Sequence, residues 1–513
     1  MNGYVFRAAL AAALLGFSAL TPLGAHAGTL IEELNALLLN HPQIEGAREN
    51  VAAAEEGVNR AFGDFLPDAR FTGSYGYEHI NSPGRRAVAN NAEPYSVGNA
   101  AQATLTVTQT VFSGFRVEAA HDSAKAQKNI ADAQLEGGTQ GVMLGGITTY
   151  LEVLRNIRLV KLAHDTEKNI MRQLNLEDER VRRGSGIAVD VLQAKSRLQI
   201  AKERRVAFEG AMKDSMSRYE QVFGTAPVIK EMVMPTPPIG LVPASLKDAL
   251  NASLAEHPSI RAALSQIDVA DHARTAAESP YYPQIDLVSS YNFEDNFAGV
   301  RKERRDYKAK VQANWDIFNG FATRAASAQA GHQYLSTVDQ ANFTRSKVTE
   351  EVRLSWQALE TARERAALLQ NAVNIASEVF EARRKLREAG KETVINVLDA
   401  ENEVFGAHIN LVAAQHDARF ATYRLLTAMG RLTIPNIASG AEGKSDERSG
   451  LLPSGKSVAA EANPMPQAEA VAAPPVKTEK VAARVETPVK AEAKPVQAKP
   501  AGDSSFKRAW AFE

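Results

Sequence analysis

Apolar and polar residues alternate along two short segments near the start of the chain. In residues 69–78 the odd positions, such as Phe71 and Tyr75, are mostly apolar or aromatic, and most even positions are polar. Residues 102–112 alternate in the same way, with threonines on the polar side. This period of two predicts two strands, each with one wet and one apolar face, joined by a loop rich in Pro, Gly and Asn. A segment of about 9–11 residues is also long enough for a tilted strand to cross a membrane.

Two sequence motifs recur at nearly constant spacing. The His-Pro pair at 41–42 returns at 257–258, which is 216 residues later, and Phe-Ser-Gly-Phe at 112–115 returns as Phe-Asn-Gly-Phe at 318–321, which is 206 residues later. The difference of ten residues falls in the loop between the two predicted strands, where length changes are tolerated. The chain is therefore a tandem duplication.

The second repeat predicts a second hairpin. Residues 285–293 and 307–317 alternate in polarity, and the loop between them carries a charged tip at 301–306. A solvated turn is expected at this tip, and contact with anionic lipid headgroups is the alternative. Four strands cannot close a membrane barrel, because the smallest barrels have about eight strands and an open edge cannot face lipid. If the strands enter a membrane, several chains must share one barrel; periodicity alone is also compatible with a soluble sheet.

A long proline-free segment follows each hairpin. Residues 115–183 and 321–389 predict helices of about 100 Å, at about 1.5 Å per residue. Each ends at a glycine, Gly184 or Gly390, which is typical of a helix C-terminus. The partner helices of two antiparallel helical hairpins are predicted at 187–224 and 393–429.

Three glycines interrupt the helical pattern of the first long segment. Gly137, Gly141 and Gly145 lie four residues apart, and each costs about 1 kcal/mol relative to alanine in a helix interior. Either the stripe lets another backbone approach closely, or the helix is locally broken here. Both interpretations are open.

Composition narrows the range of functions. The chain has no cysteine, which excludes thiol catalysis, disulfides and cysteine-ligated metals, and its net charge of −1 gives no general attraction to nucleic acid. There is no His-Glu-x-x-His motif, nucleophile elbow or dinucleotide loop. No segment approaches about 18 uninterrupted apolar residues, so no transmembrane helix is expected. We expect a protein that is not an enzyme and has no cofactor.

The ends and the middle of the chain have distinct compositions. Residues 1–27 have the features of a secretory signal peptide, with an uncleaved anchor as the alternative. The repeats are expected at 28–226 and 244–436, joined by a proline-rich linker at 227–243. Residues 437–513 are rich in Ala, Pro, Lys and Glu and are predicted to form a disordered periplasmic tail, because they cannot bury enough apolar surface to fold. Contact of its lysines with the cell wall or a partner is the alternative.

This combination resembles the TolC family of outer-membrane efflux and secretion channels. The similar motifs are Leu-Leu-Leu-Asn-His-Pro at 37–42, Val-Phe-Ser-Gly-Phe at 111–115 and Gly-Lys-Glu-Thr-Val-Ile-Asn-Val-Leu-Asp-Ala at 390–400. The resemblance covers roughly residues 30–432. Because no lipid-acceptor cysteine is present, the chain is more similar to the TolC branch than to the lipidated exit ducts of drug pumps.

The resemblance implies an α+β membrane protein that forms a homotrimer in the outer membrane. Twelve strands would close one β-barrel within outer-membrane lipid, continuous with an α-barrel that extends far into the periplasm. The implied function is that of an exit duct for a tripartite efflux pump or a type I secretion system. Its implied partners are a periplasmic adaptor (a membrane fusion protein) and an inner-membrane transporter of the ABC, RND or MFS type. A periplasmic coiled-coil scaffold or adhesin, and a passive porin, are the alternatives.

The resemblance also implies roles for residues at the helical turns. The family narrows its periplasmic mouth with two acidic residues, which map to Asn396 and Asp399, so one of the two positions is an amide here. A ring of three Asp399 carboxylates would favour cations; an ordinary solvated helix charge is the alternative. Asp190 and Arg387 map to a link that holds the mouth closed, worth only about 0–1 kcal/mol if it is exposed. The adaptor-docking tips are expected at Gly184, Ser185, Gly186 and Ile187, and at Gly390, Lys391 and Glu392.

Overall fold

A computed structural model describes residues 29–81, 96–299 and 302–442. The expected signal peptide, most of the first hairpin loop and residues 443–513 of the expected tail lie outside the described residues. The first repeat contains α1 (Leu30–Asn40), α2 (Pro42–Gly63), β1 (Asp68–Ile80), β2 (Ser96–Phe112), α3 (Arg116–Arg182) and α4 (Ala188–Phe223). The second repeat contains α5 (Leu246–Glu256), α6 (Pro258–Glu278), β3 (Gln284–Asp295), β4 (Glu303–Asn314), α7 (Ala322–Glu388), α8 (Val394–Ala428) and α9 (Ile434–Glu442).

The repeated His-Pro motif joins two helices in each repeat. The ring Nδ1 of His41 accepts a hydrogen bond from the backbone N–H of Gln43 at 3.3 Å, and His257 accepts one from Ser259 at 3.2 Å. Proline occupies the first helical position after each histidine, where its missing N–H costs nothing. The motif therefore ends one short helix and begins the next. Polarity alternation gave no indication of these helix pairs.

The core lies around the middle of α3. Met143, Ile147 and Tyr150 of this helix are fully buried, together with Leu34 of α1 and Leu426 of α8. The Tyr150 hydroxyl donates to the carbonyl of Val233 at 2.9 Å and accepts from its N–H at 3.1 Å. This pair of hydrogen bonds attaches the proline-rich linker to the core. The two repeats thus share one hydrophobic core.

The glycine stripe lies in an unbroken helix, which contradicts the interpretation as a local break. A Cβ at Gly141 or Gly145 would meet nothing within 4 Å among the described residues. The crowded position is the neighbouring Gly146, whose Cβ would lie 2.8 Å from Leu37 Cδ2 and 3.1 Å from Leu34 Cδ2. Glycine at 146 therefore leaves room for Leu34 and Leu37 of α1 to pack closely on α3, and the four-residue spacing did not single out this position.

Substitutions at Gly146 and Gly141 are expected to have opposite effects. Gly146→Leu should lower the free energy of unfolding by about 1–3 kcal/mol, because the side chain overpacks the contact with α1. Gly141→Leu should raise it by up to about 1 kcal/mol through helix propensity. Thermal unfolding of the detergent-purified protein, followed by circular dichroism, measures both. Equal melting temperatures for the two variants would contradict this packing.

The four strands form one antiparallel sheet in the order β1-β2-β3-β4. Asp68 pairs with Thr108 in the first hairpin, and their counterparts Gln284 and Asn314 pair in the second. The two hairpins therefore have identical register, at offsets of 216 residues for the first strand and 206 for the second. At the centre of the sheet, β2 pairs with β3, with an irregularity between Thr110 and Phe112.

Three predicted boundaries require correction. The charged tip was expected in a loop, but residues 303–306 belong to β4. Strand β4 ends at Asn314 instead of 317, because β3 begins at Gln284 and offers no partner beyond it. The tail was expected to begin at 437, whereas α9 continues to Glu442.

Candidate gate at the helical tips

Each long helix ends in a glycine turn. Gly184 and Gly390 have φ angles of +76° and +73°, a left-handed conformation that side chains rarely adopt. The backbone N–H of Ser185 donates to the carbonyl of Arg180 at 2.9 Å, and the N–H of Lys391 donates to that of Leu386 at 2.9 Å. These bonds satisfy carbonyls that the helix leaves free at its C-terminus. The seven expected docking residues thus lie in or directly after two equivalent turns.

The turn of the first helical hairpin is sterically restricted. A Cβ at Gly186 would lie 2.8 Å from the backbone N and the Cγ2 of Val181, and 3.1 Å from the carbonyl carbon of Arg180. Backbone atoms cannot move aside as a flexible side chain can. Glycine at 186 therefore allows the chain to fold back over the end of α3, and leaves Ile187 exposed at the tip.

Arg387, near the end of α7, connects the two helical hairpins. Its Nη2 lies 2.7 Å from Glu177 Oε2 and 3.4 Å from Asp190 Oδ2, and its Nε lies 3.3 Å from Glu177 Oε1. Its Nη1 donates to the carbonyl of Glu392 at 3.0 Å. The structure therefore brings Asp190 and Arg387 together, but the shorter, two-point contact of Arg387 is with Glu177 of α3. The role of Asp190 and Arg387 as a latch stays a prediction.

Burial changes the expected energetics of this contact. Only 4% of Glu177 is exposed, and Arg387 and Asp190 are largely covered, so the pair is not the exposed one that the sequence suggested. Glu177 also accepts a hydrogen bond from Arg180 Nη1 at 2.7 Å. Removing one partner of a buried ion pair typically costs about 3–5 kcal/mol, since the remaining charge is left without its full compensation.

The position of Glu177 on a buried helical stripe could have been recognised from the sequence. It follows Ala163 and Ile170 at seven-residue steps, and all three are buried on one face of α3. A carboxylate on a buried helical stripe needs a cationic partner. Arg180, three residues later, is one such partner. The two-point contact comes from Arg387, which is 210 residues away in sequence, so no local pattern identifies it.

Asn396 and Asp399, the two predicted gate positions, both make contacts within the chain. Asp399 Oδ1 accepts a hydrogen bond from Arg197 Nη2 of α4 at 2.6 Å. The amide of Asn396 donates to Glu392 Oε1 at 2.5 Å. Asp399 is about half exposed, so its charge is accessible to solvent but paired with a cation. The sequence did not indicate that Arg197 lies beside it.

A second buried carboxylate lies between α8 and α3. Glu401 is 5% exposed; its Oε2 accepts a hydrogen bond from Gln173 Nε2 at 3.2 Å, and its Oε1 has no hydrogen-bond partner in the described part of the chain. Burial raises the pKa of Glu401 to about 7, although Asn169 and Arg172 on α3 act in the opposite direction. This carboxyl therefore titrates near neutral pH at a contact between the two helical hairpins.

The raised pKa of Glu401 predicts a pH-dependent stability. Because the folded state holds this proton more tightly than the unfolded state, Glu401 makes the protein less stable as the pH rises from about 4.5 to about 7. Glu401→Gln should remove this component and stabilise the protein at pH 8 by on the order of 1–3 kcal/mol. Thermal unfolding at pH 5 and pH 8 tests this; an equal effect of the substitution at both pH values would contradict it.

Within residues 29–81, 96–299 and 302–442, no group of three or more His, Asp or Glu side chains is arranged to hold a metal ion. No helix in these ranges combines the length and apolarity needed to span a membrane.

The fold and the contacts at the tips define a class of protein. The protomer is a duplicated unit of two β-hairpins in one open sheet and two long helical hairpins, joined to each other by ion pairs at their tips. The chain belongs to the outer membrane efflux protein family, whose model matches residues 34–225 and 249–431, within the two repeats.

Known proteins are similar over most of the chain. The outer membrane efflux protein BepC of Brucella suis is 26% identical over 428 residues, which is 83% of this chain and 91% of that protein. The outer membrane protein TolC of Escherichia coli is 23% identical over 448 residues, 83% of this chain and 86% of that protein. A crystal structure of CusC superposes with a TM-score of 0.68 at 14% identity, covering 78% of this chain and 91% of that one, which shows a shared fold.

The comparisons confirm the resemblance to the TolC family. The chain is an outer-membrane channel protein for efflux or type I secretion, with a long periplasmic helical extension. Its family consists of channel proteins.

Proposed function

We propose that three copies of the chain form one exit duct, in which twelve strands close a β-barrel continuous with a hollow periplasmic α-barrel. The observation that carries this proposal is the open sheet. Both outer edges of the described sheet, on β1 and β4, lack a partner strand. An open edge cannot face lipid, and four strands are too few to close a barrel alone.

The apolar side of the outer strands supports a membrane location. Phe71, Tyr75 and Tyr77 on β1, and Tyr307 and Val311 on β4, are each 70–75% exposed in the single chain. Exposed aromatic and aliphatic side chains of this kind are unfavourable in water but suit a lipid-facing surface. The polar residues that alternate with them would line the water-filled interior.

The long helices also expose apolar side chains that a neighbouring copy would cover. Helix α7 packs on α5, α6 and α8 within the chain. Leu335, Phe343, Leu354, Leu368 and Ile375 of this helix remain more than half exposed. Contact with the next protomer around an α-barrel would bury them.

We propose that the two tips face the periplasm and the partner proteins. An adaptor would contact Gly184, Ser185, Gly186 and Ile187, together with Gly390, Lys391 and Glu392, and couple the duct to an inner-membrane transporter of the ABC, RND or MFS type. The exposed turns support this proposal, because nothing in the described chain covers Ile187 or Lys391. A periplasmic scaffold does not need a lipid-compatible sheet, and a passive porin does not need long helical hairpins that end in exposed tips.

The contacts between the two helical hairpins would hold the duct closed. Several polar contacts among the described residues span this boundary. They are Arg387 to Glu177 and Asp190, Arg197 to Asp399, Arg204 to Asn402 at 2.7 Å, and Gln173 to Glu401 at 3.2 Å. Opening would separate them as the second hairpin moves outward. Asp399 would remain near the mouth as a half-exposed carboxylate.

Deletion of the gene tests the export function. We expect the deletion strain to become more susceptible to exported compounds or to lose secreted proteins from its medium, and the wild-type gene on a plasmid to restore the lost trait. Drug susceptibility and the secreted proteome, measured together, decide which cargo class the duct serves. Unchanged susceptibility and an unchanged secretome would contradict the proposal.

A further inference from the structure

The internal repeat predicts which strands of neighbouring copies pair and in what register. The central pair of strands, β2 and β3, joins the end of one hairpin to the beginning of the next within the chain. The strands at the two open edges, β4 and β1, are the repeat counterparts of β2 and β3. If a barrel closes with uniform geometry, β4 of one copy meets β1 of the next as β2 meets β3.

We propose that β4 pairs with β1 of a second copy in the antiparallel register that the repeat specifies, an inference that rests on the proposed homotrimer. Leu105 pairs with Tyr291 within the chain, and their repeat counterparts are Val311 and Tyr75, so Val311 would lie opposite Tyr75 of the next copy. In the same way, the pair of Gln109 and Leu287 places Trp315 opposite Phe71. The pair of Thr110 and Asp286 places Asp316 opposite Arg70.

Charge complementarity supports this register, although it was not used to derive it. Asp316 faces Arg70, and Lys308 faces Glu78, so both charged pairs have opposite signs. Neither Arg70 nor Asp316 has an ion-pair partner among the described residues. Opposite charges across neighbouring strands stabilise their pairing, and like charges oppose it.

Neighbouring registers lose this match. A shift of one residue places apolar side chains opposite polar ones along the whole seam, because side chains alternate between faces. A shift of two residues in one direction places Glu78 opposite Asp306, two like charges. A shift of two in the other direction keeps one opposite-charge pair, Glu78 with Lys310, but places Arg70 opposite Phe318, so only one of the two charged pairs is matched.

The length of β4 is consistent with a missing partner. Strand β2 continues to Phe112 because its last residues pair with β3. Residues 315–318, the counterparts of 109–112, are not strand in the single chain. In the proposed seam, the next copy's β1 would extend β4 by these residues.

The corner between strand and helix gives an independent observation. In the first repeat, a Cβ at Gly114 would lie 2.5 Å from the carbonyl oxygen of Ser279, and the Tyr282 ring makes edge contacts with Phe112 and Phe115. A Cβ at the counterpart Gly320 would meet nothing within 4 Å in the described chain.

The counterparts of these aromatic residues are open to contact. Phe318 and Phe321 are 74% and 67% exposed, and Leu66, the counterpart of Tyr282, is about half exposed. Packing of Phe318 and Phe321 on the next copy's Leu66 would reproduce at the seam the contact that Tyr282 makes within the chain.

Disulfide cross-linking tests the register, and the chain has no cysteine of its own to interfere. Two double variants test the proposed register: Val311→Cys with Tyr75→Cys, and Gln312→Cys with Ser74→Cys. Because opposed residues in an antiparallel pair alternate between hydrogen-bonded and non-hydrogen-bonded positions, the two variants include one pair of each kind. Val311→Cys with Tyr77→Cys, and Val311→Cys with Gly73→Cys, are controls shifted by two residues, too far apart to bridge. The two edges of one sheet are about 14 Å apart, so a disulfide must join different copies.

We expect mild oxidation of outer membranes to convert most of each in-register variant into covalent trimers, and the shifted controls to link far less. Preferential linking of a shifted pair would overturn the register while leaving the trimer intact. Linking of no pair in a protein that is still trimeric by native mass spectrometry would overturn the seam itself. Single copies by mass spectrometry would instead refute the proposed homotrimer.

Charge reversal gives a second readout that does not depend on disulfides. Arg70→Asp or Asp316→Arg alone should lower the temperature at which trimers dissociate in detergent, because each places like charges opposite one another. The double reversal should restore most of the loss. Additive losses in the double variant would contradict the pairing of these two residues.

Discussion

Arg387→Ser is expected to raise the single-channel conductance of the purified protein several-fold in planar lipid bilayers. The substitution removes the guanidinium that contacts Glu177 and Asp190 on the first helical hairpin, so the second hairpin is released from it. Because this contact is largely covered from solvent, its loss is expected to shift the closed–open equilibrium toward the open state. Unchanged conductance would remove Arg387 from the gate.

The two partners of Arg387 are expected to differ in effect. Glu177→Gln should raise conductance more than Asp190→Asn, because Glu177 makes the shorter, two-point contact and is nearly fully buried. Arg384→Ser is the matched control: this arginine is half exposed, and its ion-pair partners in the described part of the chain, Glu381 and Glu388, lie on its own helix. A larger effect of Asp190→Asn than of Glu177→Gln would contradict the assignment of Glu177 as the main anchor.

Gly186→Val is expected to abolish export while the protein still assembles. A side chain at 186 collides with backbone atoms of Val181 and Arg180, so the tip must refold. Cells that carry the variant should resemble the deletion strain in drug susceptibility or protein secretion, whichever the deletion affects. Outer membranes should still contain trimers, because the tip is remote from the strands in sequence and in contacts.

Gly210→Val is the matched control for this experiment. Gly210 lies in α4, is exposed, and would place its Cβ in open space. Normal export by this variant would show that the tip turn, rather than any glycine in the hairpin, is required. Full export by Gly186→Val would contradict the proposed docking role of the tip.

The main elements of the fold could be predicted because their signals are local and repeated. Period-two alternation indicated the hairpins, and long proline-free segments that end at Gly184 and Gly390 indicated the helices. The duplication reinforced each signal. The short helix pairs around His41 and His257 were not predicted, although Leu30, Leu34 and Leu37 of α1 recur at helical spacing and are buried.

The site was harder to predict, because its contacts join distant parts of the chain. The resemblance to a family supplied Asp190, Arg387 and Asp399, yet the strongest contact of Arg387 is with Glu177, and Asp399 pairs with Arg197. The shifted pKa of Glu401 arises from packing of α8 against α3, which no local pattern shows. Tertiary packing decided which of the many charged helical residues contact one another near the tips.

Native mass spectrometry of the purified mature protein in detergent tests the central claim most directly. If separate chains complete one cylinder, the particle contains three copies and aggregates or precipitates when the detergent is removed. A single copy that stays soluble without detergent would contradict it.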